Sequence, residues 1–182
     1  MRRLVLACTL AALLLPLSAS ASASARGRYV NPFANPVWQP SRTDMGMDWV
    51  PAHKTAVLAV GDALILGSES HARWPGHHLI WYRLLNGSHA GAVIYVAEHL
   101  KRLARVGQHV HAGQRIATAL PGYPWIETGW ANDEGSPRAY PCYKEGKATN
   151  SGKQMARFLI SLGASIGDPP GRGADRPQGR KC

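Results

Sequence analysis

A mainly β domain, a sheet or barrel closed by a single C-terminal amphipathic helix, is what the sequence predicts, on three observations. Residues 55–60, 63–67, 78–85, 92–97, 115–120 and 125–130 are short segments rich in β-branched and aromatic side chains. They are separated by turn dipeptides, among them Gly61-Asp62, Asn86-Gly87 and Pro121-Gly122. Many short strands at this spacing predict an all-β architecture. One stretch alone carries helical periodicity: Met155, Phe158, Leu159 and Leu162 recur at i, i+3, i+4 and i+7, with Ser151 available as a cap and Gly163 as a stop.

In chain order, a basic Met1-Arg2-Arg3, an apolar run over 4–16 and the small residues Ala23-Ser24-Ala25 predict a secretory signal peptide over 1–25. The run is shorter than the roughly 20 residues of a membrane span, and no other segment is long and apolar enough. Leu4-Val5-Leu6-Ala7-Cys8 resembles a lipoprotein box but stands early in the leader, so cleavage after Ala25 is the expectation and lipidation of Cys8 the alternative. The expected product is one exported domain, periplasmic or extracellular, and a monomer. Residues 26–41 carry Asn-Pro and Trp-Gln-Pro steps and predict an extended arm. The β domain is expected over 42–131, a loop over 132–150, the helix over 151–163, and a disordered basic tail over 164–182. Within the β domain, Gly107-Gln108 and Ala112-Gly113-Gln114 form an internal echo, two Gly-Gln turns bracketing a very short strand.

The chain of 182 residues carries a net charge of +10. Such a surplus suits anionic surroundings, and export favours the cell envelope over nucleic acid. The dense basic cluster Lys101-Arg102-Leu103-Ala104-Arg105 is surrounded by no nucleic-acid module and is read as a solvated loop. With Cys8 removed, Cys142 and Cys182 remain. In an oxidising compartment they are disulfide candidates, with a free thiol or an intermolecular bridge as alternatives.

The chemistry concentrates in four stretches: Arg42-Thr43-Asp44-Met45-Gly46-Met47-Asp48, Ala97-Glu98-His99-Leu100, residues 106–117 around the Gly-Gln echo, and Trp125-Ile126-Glu127-Thr128-Gly129-Trp130. Their order and spacing resemble the LytM/lysostaphin-type zinc metallopeptidases, secreted endopeptidases that cut peptidoglycan cross-bridges on a duplicated hybrid motif. That pattern has an Arg-x-His-x-Gly-x-Asp element, a His-Leu element, a Val-x-x-Gly-Gln corner and a late His-x-His strand. The resemblance covers about residues 40–131 and implies a lysostaphin-like β-sheet.

At the metal the match is partial. Arg42, Gly46, Asp48 and His99 fit, but Asp44 stands at the first histidine position and Trp125-x-Glu127 in place of the late His-x-His. Three carboxylates, Asp44, Asp48 and Glu127, suit calcium, magnesium or manganese better than zinc. The expectation is therefore a degenerate homologue that binds peptidoglycan, another envelope component or a partner hydrolase without zinc-dependent cleavage, and without a cofactor. The alternative is an active peptidoglycan hydrolase, with Asp44, Asp48 and Glu127 holding a divalent metal ion or acting as carboxylates, and with His99 and Glu127 as catalytic groups.

His109 and His111 share one strand face, and His77-His78 follow a turn; all are read as exposed turn histidines. Six tryptophans stand beside only two phenylalanines. Aromatic faces pack on sugar rings or in cores. Trp81 is assigned to the core, and Trp74, Trp125 and Trp130, with Arg42, to a substrate groove.

Overall fold

The computed structural model describes residues 28–122, 125–165 and 167. The segment read as a signal peptide, Cys8, most of the tail and Cys182, hence any Cys142–Cys182 pairing, lie outside the described residues.

Ten strands form two antiparallel sheets. They are β1 (Trp38–Thr43), β2 (Met47–Pro51), β3 (Thr55–Leu58), β4 (Ala63–Glu69), β5 (His78–Leu84), β6 (Val93–Glu98), β7 (Leu100–Lys101), β8 (His109–Val110), β9 (Arg115–Ala119) and β10 (Ile126–Ala131). The larger sheet runs β1-β2-β10-β6-β5-β4-β8 and the smaller β3-β9-β7. Among the described residues the chain is mainly β with one α-helix, α1 (Asn150–Ser161), which is the predicted class.

The sheet begins earlier than the sequence suggests. Residues 38–41, read as the end of an extended arm, form with Arg42 and Thr43 the edge strand β1, and Asp48, read as preceding the first strand, lies inside β2. Pro40 hides β1 from a propensity reading, yet an edge strand tolerates a proline because its outer N–H needs no partner. The rest of the arm packs down: Phe33 stacks on Trp49 with centroids 3.9 Å apart.

The two faces of the large sheet differ. On one, Met47, Trp49, Ile80, Tyr82, Ile94, Val96, Ile126 and Trp130 join the main core, which α1 covers with Met155, Phe158 and Leu159. Burial of such side chains contributes about 1.5–3 kcal/mol each. The other face carries a smaller cluster built on Leu79, Trp81, Tyr95 and Ala97. Side chains alternate along a strand, so Asp48 and Glu127, between core residues, point to this second face.

The helix is anchored by Thr149, not Ser151: the Thr149 hydroxyl accepts from Gly152 N at 3.1 Å and donates to the Asp44 carbonyl at 2.9 Å. The Thr149 amide also donates to that carbonyl, at 2.8 Å. The cap thus ties α1 to the β1–β2 turn. Among the described residues no helix is long and apolar enough to cross a membrane.

Candidate functional site

Strand register brings two of the acids together and a turn adds the third. Glu127 on β10 pairs with Asp48 on β2 and, on its other side, with Ala97 on β6. Asp44 comes from the β1–β2 turn. Asp44, Asp48 and Glu127 each offer an oxygen lying within 4.8 Å of the others, and their exposures are only 0%, 2% and 2%.

Each acid is held. Tyr95 donates its phenolic hydrogen to Glu127 Oε1. It reaches there because β10 has Gly129 opposite it; a Cβ at that glycine would lie 2.6 Å from the tyrosine ring. Arg42 Nε donates to Asp48 Oδ2 at 2.5 Å and lies 3.4 Å from Asp44 Oδ2, and its Nη1 reaches Glu145 Oε1 at 3.0 Å. Asp44 Oδ1 accepts from the Met45 amide at 2.6 Å and Oδ2 from the Gly146 amide at 3.4 Å.

These contacts do not balance the charge. Burial, with Asp44 adding repulsion and Arg42 opposing, pushes the Asp48 carboxyl up to about 7. Burial also drives Glu127 well above the carboxylate range, reinforced by Asp44 and Asp48 and opposed by the Tyr95 hydrogen bond. Tyr95 rises for the same reasons, burial first and Glu127 second. Burial opposes the Arg42 charge, but Glu145, Asp48 and Asp44 outweigh it and hold the guanidinium protonated.

Asp48 and Glu127 open into a cavity of about 470 Å³. Among the described residues six acids line it: Asp48, Glu69, Glu98, Glu127, Glu134 and Glu145. Arg42 and Arg73 are its cations, and Trp74, Trp125, Tyr140 and Tyr143 its aromatic walls. Much of one wall, including Glu134, Tyr140, Tyr143 and Glu145, comes from 132–150, read from sequence as plain surface loop.

Two assignments need correction. Trp130 does not enter the cavity. It shares the parity of Ile126 and Thr128, so it lies on the opposite face in the main core, tilted against Phe158 with centroids 5.3 Å apart. His99 does not line the cavity either, and its Nδ1 is buried without a partner among the described residues. Its neighbour Glu98 lines the cavity instead. Glu98 sits at φ 86°, a left-handed conformation rare for a side-chain-bearing residue, which breaks the alternation at the end of β6. Burial, then repulsion from Asp48, raises Glu98 to about 7. Sequence reasoning passed over Glu98 because no motif marks a glutamate that leaves its strand with positive φ.

Neither a protein-family model nor a curated protein sequence matches the chain. Among solved structures, the solution NMR structure of lysostaphin aligns over 80% of this chain and 61% of its own, with TM-score 0.51 and 17% identity. The fold is lysostaphin-like. The antimicrobial peptidase lysostaphin from Staphylococcus simulans also aligns, over 82% of this chain and 59% of its own, at 16% identity and TM-score 0.48. The chain therefore spans about three fifths of the lysostaphin chains it matches, and at this identity the likeness is one of fold.

A lysostaphin-like fold raises the question of zinc, which prefers nitrogen and sulfur ligands with few carboxylates. Among the described residues the side chains close enough to share an ion are Asp44, Asp48 and Glu127, and no described histidine lines the cavity. This all-oxygen set does not fit zinc. It is of the type that takes calcium, magnesium or manganese.

Proposed function

We propose that the protein is an exported hydrolase that acts on peptidoglycan in the cell envelope through carboxylate acid–base chemistry. The observation that carries this reading is the meeting of Asp44, Asp48 and Glu127, at most 2% exposed, within 4.8 Å of one another, with Asp48 and Glu127 lining an aromatic-walled cavity. Burying an ionised carboxylate costs several kcal/mol, so a scaffold with no chemistry to perform gains nothing by keeping three. Carboxyl groups whose pKa values are raised into the neutral range are what hydrolysis at neutral pH requires.

The roles follow from environment. Glu127, held by burial well above the carboxylate range, keeps its proton and gives it to the leaving group, with Tyr95 fixing its orientation. Asp48, against Arg42, carries the negative charge and draws a proton from water. Glu98, more exposed at the mouth of the cavity, exchanges protons with solvent. Trp74 and Trp125 offer faces for sugar rings. The cavity floor, with hydrogen-bonded acids on rigid strands, keeps these groups in place between turnovers.

The opposing reading, a binder that does not cut, draws on Arg42. Its guanidinium contacts Asp48, Asp44 and Glu145 and serves as an internal counter-ion. Incubation with purified sacculi separates the two, with new reducing ends and new amino groups measured in the soluble fraction. Hydrolysis predicts either product at neutral pH and reveals which bond is cut. Sedimentation with sacculi and no product supports the binder; neither binding nor product rejects both.

A further inference from the structure

We infer that the hollow formed by the loop after β7 and the start of β9 is a phosphate-binding site, independent of the acidic cavity. The argument begins with the Gly-Gln echo, which the hydrolytic site leaves unused. The two turns are built alike. Gly107 and Gly113 both take left-handed conformations, at φ 80° and 79°. Each following glutamine donates its backbone N–H three residues back, Gln108 to Arg105 O at 3.1 Å and Gln114 to His111 O at 2.9 Å. Each also turns its side-chain carbonyl to the backbone: Gln108 Oε1 accepts from Arg105 N at 3.3 Å and Gln114 Oε1 from His111 N at 3.0 Å. With the carbonyl oxygens committed to backbone amides, what each glutamine has left to offer is its NH2 group.

Both glutamines line a hollow of about 350 Å³, together with Arg102, Arg105 and Arg115. Leu103, Ala104 and Ile116 form the remaining surface, and among the described residues no aspartate or glutamate lines it. The Ala104 amide donates to the Ile116 carbonyl at 2.7 Å, which holds the arginine loop against β9. Arg102 sits at φ 53°, a turn conformation uncommon outside glycine. None of the three guanidinium groups has an ion pair or side-chain hydrogen bond among the described residues.

The side chains of this hollow thus present hydrogen-bond donors with three positive charges and no acceptor of their own. Three like charges around one depression repel one another until an anion enters. A guanidinium presents its donors as a fork that matches an oxyanion bidentately. Three forks with two amide donors exceed what one planar carboxylate can accept, and suit the tetrahedral oxygens of a phosphate group. Two sources share that chemistry: a free phosphate ion, and the repeating phosphates of a phosphodiester-linked polymer.

The test is titration of the purified protein, at low and at physiological salt, with inorganic phosphate, poly(glycerol phosphate), polyglutamate and a DNA oligonucleotide. The inference expects phosphate to bind, more weakly as salt screens it, with affinity at least about tenfold lower in an R102Q/R105Q/R115Q variant. Equal affinity per phosphate for ion and polymer identifies the free group as ligand, and much tighter polymer binding identifies the polymer. Should the triple variant fail to fold, Arg115→Lys keeps the charge but loses the fork, and is expected to bind several-fold more weakly. Failure of ion and polymer alike to bind below about 10 mM overturns the inference. So do unchanged binding by the variants, equal binding of polyglutamate, or tighter binding of DNA than of the glycerol polymer.

Discussion

The two faces of β10 put neighbouring residues into different media. Ile126 and Trp130 enter the main core beneath α1, while Glu127 turns to the second face and meets Asp48 and Tyr95. On the core face the burial of apolar side chains favours folding. The site face instead concentrates acids that burial and mutual repulsion hold at raised pKa. The difference teaches that one face is kept for stability and the other at a cost to stability, and each can be perturbed alone.

The largest expected contrast comes from Glu127→Gln. It retains an oxygen for the Tyr95 hydroxyl but cannot donate a proton, so fragment release from sacculi should fall about 10²–10⁴-fold while the melting temperature holds or rises. On the opposite face, Ile126→Ala should lower unfolding free energy by about 2–5 kcal/mol in a denaturant titration, with little change in hydrolysis per folded molecule. If Ile126→Ala abolished chemistry at full stability, the division between faces would fail.

The site face also predicts a pH dependence. Asp48 has a pKa of about 7 in the folded protein against an ordinary 3.8. Between these values the folded state keeps a proton that the unfolded chain releases. The contribution is full below pH about 4 and is lost as pH rises toward 7, by up to about 4 kcal/mol. Glu98, also raised to about 7, acts with the same sign. The thermal midpoint should fall across this window and Asp48→Asn should flatten the slope; a midpoint that rises from pH 4 to 7 would contradict the assignment. A smaller effect tests the junction between the faces: Thr149→Ala removes the cap that binds Gly152 N and the Asp44 carbonyl, and should cost about 1 kcal/mol of stability.

Much of the architecture was legible because turn dipeptides and β-branched segments mark β3 to β6, β9 and β10, and because the apolar stripe marks α1. β1 was not, since Pro40 belongs to an edge whose tolerance for proline is a property of the assembled sheet. Asp44, Asp48 and Glu127 could be named because the motifs single them out, yet their meeting depends on the pairing of β2 with β10, between strands far apart in sequence. The period of two already separates Trp130 from Glu127, so its misplacement in the groove came from reading residue type ahead of parity. Glu98 in place of His99 was beyond pattern reasoning, because a single positive φ reverses which side chain reaches the cavity.

The central claim is that carboxyl groups, rather than a zinc ion, carry the chemistry of this lysostaphin-like fold. Its most direct test is the release of soluble fragments from sacculi by protein stripped of metal and assayed with chelator present. The account predicts release at the rate of the untreated protein. Loss of release on stripping, restored by adding zinc, would contradict it.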